Sequence, residues 1–97
     1  MSPIRFHPEA ERELLDAWRW YAERSEVAAQ AFALEIDRAL TAIAEAPERW
    51  PLRPSGERRL TLSRFPYAVF YRTRADEVIV VAIAHQRRRP EYWQRRF

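Results

Sequence analysis

Seven consecutive apolar residues, Val78 to Ala84, constrain this chain more than any other stretch of it. The run is rich in β-branched side chains and has the length of a strand, far short of what a membrane span needs. A strand apolar on both faces is a core element, so the groups just beyond its end are held in place by the core. Here those groups are His85-Gln86-Arg87-Arg88-Arg89-Pro90-Glu91-Tyr92-Trp93, a histidine, three arginines and two aromatics in nine residues. Such an ending suits a basic, stacking-capable surface that meets an anionic or protein partner.

The rest of the chain supplies what that strand packs against. Ile4-Arg5-Phe6 reads as a short first strand, stopped by His7-Pro8. Pro8 fits the first helical position, and Glu9 and Glu11 favour the positive end of a helix dipole. Leu14, Trp18 and Tyr21 then repeat at helical spacing, which predicts a helix over about Pro8 to Arg24. Ser25 is placed to cap a second helix whose stripe is Phe32, Ile36, Leu40 and Ile43, and Pro47 ends it at Ala46. The connection is short, so the two helices form an antiparallel hairpin that must cover a sheet. Pro47 to Gly56 holds three of the seven prolines and the only glycine, and reads as a loop. Strands follow at Arg58 to Leu62, Tyr67 to Thr73 and Val78 to Ala84, the last two joined by a hairpin turn at Arg74 to Glu77. Pro90 to Arg96 is either a short terminal helix or a tail. The predicted class is α+β, in the order β-α-α-β-β-β, with the helices on one face of a mainly antiparallel sheet and residues 1–97 forming one domain.

Composition excludes several functions. Without cysteine there is no disulfide framework and no thiolate metal site, and His7 and His85 lie too far apart in sequence to suggest a histidine-based one. No cofactor or metal is expected. The absence of a leader-like start or a long apolar run points to a cytoplasmic protein. Charge is divided unevenly. Residues 1–50 carry a net −4 and residues 51–97 a net +7, and all seventeen basic residues are arginine. The C-terminal half is therefore the side that would meet an acidic partner or a phosphate.

Within that half, His85 is the one histidine placed to act near neutral pH, as a general acid or base in phosphodiester cleavage or, more simply, as a strand-end backbone partner. Arg87 and Arg88 suit bidentate contacts, or just a solvated face. Tyr92 and Trp93 suit stacking on a partner, or folding back over the core. Alternation places Arg72 with Ala68 and Phe70 on the sheet face opposite Tyr67, Val69 and Tyr71, and Arg58, Arg59 and Arg64 come from adjacent strands. Trp20 and Leu34 fall off their helical stripes, on the outer side of the hairpin where a partner could dock.

These residues together resemble the RelE/ParE superfamily of type II toxin–antitoxin toxins, nearly end to end. The likeness includes the start Phe6-His7-Pro8-Glu9, Trp20-Tyr21 on the first helix, and Phe32 with Ile36 on the second. It continues through Arg64-Phe65-Pro66-Tyr67 with Tyr71, and ends on His85, Arg87-Arg88 and Pro90 to Trp93. That combination is most similar to the ParE-like "plasmid stabilisation" branch. The resemblance implies growth arrest by a toxin, a small antitoxin that wraps and neutralises it, and DNA gyrase as target; a chromosomal relative that has lost toxicity is a blander reading. The other reading is a RelE-like endoribonuclease that cuts ribosome-bound mRNA. Nucleases of that kind carry an arginine where this chain has Ala68, a second basic position where it has Thr61 (with Arg59 nearby), and a tyrosine where it has Trp93. Arg87 matches one arginine they use, and some relatives use a strand-end histidine, which His85 would supply. The residues expected to contact the target or a nucleic acid are Arg64, Arg72, Arg87, Arg88, Tyr92 and Trp93. Those expected to meet the antitoxin are Trp20 and Leu34.

Overall fold

The computed structural model describes residues 1–89 and 91–96. Strand β1 (Ile4–Phe6) leads into α1 (Pro8–Ala22) and α2 (Glu26–Glu45), followed by a 3-10 turn at Pro47–Arg49 and strands β2 (Arg58–Thr61), β3 (Tyr67–Arg74) and β4 (Glu77–His85). The sheet order is β1-β4-β3-β2; β1 runs parallel to β4, and the other pairs are antiparallel. The predicted class and element order hold.

Local chemistry explains the helix boundaries. His7 accepts the amide of Glu9 on Nδ1 at 3.1 Å and so caps α1, with Pro8 at the first helical position. Ser25 does the same for α2 through the amide of Ala28 at 3.2 Å. Pro47 then ends α2 and opens the 3-10 turn, whose first carbonyl receives the Tyr71 hydroxyl.

One predicted stripe is displaced. The buried positions of α1 are Ala10 and Ala17, flanked by Leu14 and Tyr21, whereas Trp18 is 42% exposed. Small alanines at these positions let α1 lie close to β4, a spacing that would not admit an indole between helix and strand. Of the predicted α2 stripe, Phe32, Ile36 and Ile43 are buried against Val69, Tyr71, Val78, Val80 and Ile83, while Leu40 is partly buried beside the buried Ala39. Tyr21, Phe32, Phe65 and Tyr67 close one end of this core with ring centroids 5.0–6.5 Å apart.

A bulge in β4 shapes the other face. Phe70 pairs with Ala82 and Tyr71 with Val80, so Val81 is an extra residue without a partner on β3. Val81 and Ala82 consequently both lie on the far side of the sheet, with Ala68, Phe70 and Ala84, and Ile83 returns to the helix side. The alternation predicted for β3 is intact. The far face is not open, however. The C-terminal segment forms turns rather than a helix, and it folds over this face so that Trp93 is 4% exposed. Its ring stacks on Phe70 at a centroid distance of 4.0 Å. The proline that opens the predicted terminal element, Pro90, lies outside the described residues.

Strand β1 covers β4 only as far as Val80, because His7-Pro8 turns the chain into α1 there. Past that point the backbone is satisfied by side chains. Glu13 on α1 accepts the Ile83 amide at 3.0 Å, and Arg96 donates to the Val81 carbonyl at 3.1 Å. Glu13 and Arg96 join in a two-pronged pair of 2.9 and 3.0 Å, and Tyr92 donates its hydroxyl to the same carboxylate at 2.6 Å. An edge that would otherwise invite a foreign strand is thus closed by an ion pair across the two ends of the chain.

Candidate functional site

Beyond the last residues of β4, two concavities share a wall made by His85, Tyr67 and Arg88. The one on the far face, about 270 Å³, has Ala68, Phe70 and Ala84 as its floor, Trp93 and Tyr67 at its sides, and Arg53, Arg59, His85, Gln86 and Arg88 at its rim. The other, about 470 Å³, lies between α1 and the C-terminal segment and is lined by Asp16, Trp20, Tyr21, Tyr67, His85 and Tyr92 among others. The first is basic with an apolar floor; the second is aromatic.

The position of each rim group follows from the core beneath it. Tyr67 and His85 are register partners at the ends of β3 and β4, and their rings meet edge to face at 5.0 Å. His85 accepts the Arg87 amide on Nδ1 at 3.0 Å. In the neutral ring that acceptor role puts the proton on Nε2, so the imidazole presents a donor to the concavity rather than a lone pair. Arg88 lies over the Tyr92 ring at 4.1 Å, and Arg96 over it at 4.9 Å. Burial, then the hydrogen bond and charge of Glu13, hold the Tyr92 phenol well above its usual range. It stays a neutral donor, a positioned wall rather than an acid or base.

Of the two readings open for Trp93, the structure shows the second: it folds back over the core and is 4% exposed. Its Nε1–H donates to Glu57 at 3.2 Å; Glu57 is fully buried, accepts the Ser55 hydroxyl at 2.9 Å and has Arg53 at 3.4 Å. Burial pushes the Glu57 carboxyl up, but Ser55, the backbone, Trp93 and the Arg53 charge outweigh it and the net shift is downward. The indole is half of a buried polar contact, and its ring is unavailable for stacking on a partner.

The remaining expected residues are scattered. Arg59 and Arg88 reach the basic rim with His85, whereas Arg87 is exposed outside both concavities. Arg72 lies on the far face as alternation predicts, but it donates to the Ser55 carbonyl at 2.9 Å beneath the loop at Gly56. Gly56 has φ +97°, a backbone conformation that favours glycine, and a Cβ there would also crowd the Arg72 guanidinium at 3.0 Å. Arg64 is at the β2–β3 turn, 3.7 Å from Glu35 and away from His85. Trp20 borders the aromatic concavity, half exposed and with Arg24 over its ring at 3.9 Å. Leu34 is 46% exposed on α2 and lines neither. Glu13, Arg53, Glu57 and Arg96, which build these walls, were not singled out from sequence. Glu13 and Trp20 share one flank of α1, and that flank was the available signal.

Glu35 shows how the signature Arg64-Phe65-Pro66-Tyr67 is held. Its carboxylate accepts the Ser63 amide, the Ser63 hydroxyl at 2.8 Å and the Arg64 amide at 3.4 Å, tying the turn to α2. Burial raises the Glu35 carboxyl, and the Ser63 and Arg64 contacts more than reverse this, leaving it lowered. Both Glu35 and Glu57 therefore add stability above the unfolded carboxyl pKa of 4.5 that is lost as pH falls through their lower folded values. At the other extreme, burial raises Tyr71 from 10 to about 12, so its contribution is complete below pH 10 and disappears as pH rises through about 12. The urea midpoint is expected to be level between these limits and to fall beyond each. Glu35→Gln should flatten the acid limb.

Residues 4–90 match the family described as the ParE toxin of the type II toxin–antitoxin system parDE. The chain belongs to the ParE toxin family. Among solved structures it is similar to the chromosomal ParDE toxin–antitoxin system from P. aeruginosa, with a TM-score of 0.74 and 21% identity over 88% of this chain and 96% of that one. That likeness bears on the fold, and it agrees with the ParE architecture described above. Comparison with curated proteins gives no match. Among the described residues, no helix of this ParE chain is long and apolar enough to cross a membrane.

Proposed function

We propose that this ParE-family chain acts as a binding toxin, neutralised by a cognate antitoxin, and that its target is DNA gyrase. The observation that carries the reading is the floor and rim of the basic concavity. The positions where a RelE-like nuclease would hold charge are Ala68, which forms the apolar floor, and Thr61 beside it. Trp93 is buried, and the Nδ1 of His85 is taken up by the Arg87 amide. What remains, Arg59, Arg88 and their neighbours, suits recognition through charge and planar hydrogen bonding more than proton transfer. The ParDE likeness supports the antitoxin partner, and the family supports the toxin role.

The test is direct. Purified chain added to DNA gyrase is expected to inhibit supercoiling of relaxed plasmid and to raise the level of cleaved complex, both reversed by the antitoxin. Unchanged supercoiling and cleavage at molar excess would remove gyrase as the target. Codon-positioned cuts in translated messages, lost in His85→Ala, would establish the RelE-like endoribonuclease reading instead.

A further inference from the structure

Thr61, Ala68 and Ala84 are register partners across β2, β3 and β4, so small side chains lie in a row across the far face of the sheet. Phe70 beneath Trp93 stands on one side of that row, and Tyr67 with His85 on the other. The row is therefore the hollow of the far-face concavity, about 270 Å³. Sites for small molecules usually measure about 300–1,000 Å³, so this one has room for a single compact ligand.

Its charge is one-sided. The lining includes Arg53, Arg59, Arg88 and His85 but no carboxylate. By contrast, the aromatic concavity has Glu13 and Asp16, the groove between β2 and α2 has Glu35, and a hollow beside the β3–β4 turn has Glu48, Asp76 and Glu77. The Arg53 charge is already met by the buried Glu57 at 3.4 Å and by Glu91 at 4.0 Å. Arg59 and Arg88 are exposed and, among the described residues, form no ion pair. The Tyr92 ring braces Arg88 at 4.1 Å, and His85, whose Nδ1 is held by the Arg87 amide, adds its second ring nitrogen. Two uncancelled guanidinium groups beside one small hollow match a dianion. A phosphate monoester carries a charge of about −1.5 to −2 at neutral pH, whereas a strand phosphate or a carboxylate carries one. Its terminal oxygens suit guanidinium forks, and the apolar floor suits a flat ring attached to it.

We propose that the far-face concavity binds a free phosphate monoester of about the size of a nucleoside monophosphate, its phosphate held by Arg59, Arg88 and His85 and its ring lying over Ala68 and Ala84. The ligand is bound and not cleaved. The site is independent of the gyrase and antitoxin readings and stands or falls without them.

Calorimetric titration of the wild-type chain with AMP is expected to show saturable binding about tenfold or more tighter than with adenosine, and inorganic phosphate should compete. Arg59→Gln/Arg88→Gln should weaken AMP binding by about tenfold or more with an unchanged melting curve. Thr61→Phe fills the hollow from an exposed position and leaves both arginines in place, and it should weaken AMP binding as well. Arg87→Gln, outside the concavity, should bind AMP as the wild type does. Equal affinity for AMP and adenosine, undiminished AMP binding in Arg59→Gln/Arg88→Gln or in Thr61→Phe, or an equal loss in Arg87→Gln overturns the site. So does a single-stranded oligonucleotide without terminal phosphates that competes as strongly as AMP, since the surface would then serve a nucleic-acid backbone.

Discussion

Trp93→Ala is expected to lower folding stability by about 3–5 kcal/mol, a large share of what a domain of this size has. Two effects add. The ring leaves a void against Phe70, on which it stacks at 4.0 Å, and Glu57 loses the indole donor while remaining fully buried. Urea unfolding followed by circular dichroism reads the loss. Trp93→Phe, which keeps a ring and removes only the N–H, should cost about 1–2 kcal/mol. Equal midpoints for wild type and Trp93→Ala would mean that the C-terminal segment does not contribute to the core in solution.

Glu13→Ala is expected to cost about 3 kcal/mol, although the residue is one of several acidic groups on a surface helix. Its carboxylate holds the Ile83 amide, the Tyr92 hydroxyl and both prongs of Arg96. Removing it leaves a half-buried guanidinium uncompensated and opens the β4 edge beyond β1. Besides a lower urea midpoint, faster amide exchange at Ile83 should follow. A double-mutant cycle with Arg96→Ala should show strong coupling, since most of the penalty is the stranded charge. Additive effects of the two substitutions, with Ile83 exchanging as before, would discard the latch.

These two predictions fall where sequence reading was weakest. The helices were legible because capping residues and a 3.6-residue period act locally: His7-Pro8 and Ser25 start them, and Pro47 stops the second. The strands were legible from apolar runs and turn residues, and the β3 alternation placed Arg72 correctly relative to Ala68 and Phe70. Trp18 was misplaced because periodicity alone does not say how close a helix must sit to its sheet; the alanines at 10 and 17 decide that only once β4 is beneath them. Trp93 and Tyr92 were ambiguous for a different reason. An aromatic near a terminus buries equally well against a partner or against its own domain, and the choice depends on acceptors far away in sequence, Glu57 and Glu13.

The sequence by itself determined the elements, their order and the family, since those follow from local preference, apolar period and residue signatures. It also marked the end of the last strand, beside which the two concavities lie, as the candidate site. Only the tertiary structure decided which of those groups are surface. The bulge at Val81 turns two consecutive residues to the far face, the chain end folds over them, and carboxylates 36 and 79 residues away in sequence fix Trp93 and Tyr92. Burial is a property of the assembled layers, so a signature can name the residues at a site before anything local can say which of them face outward.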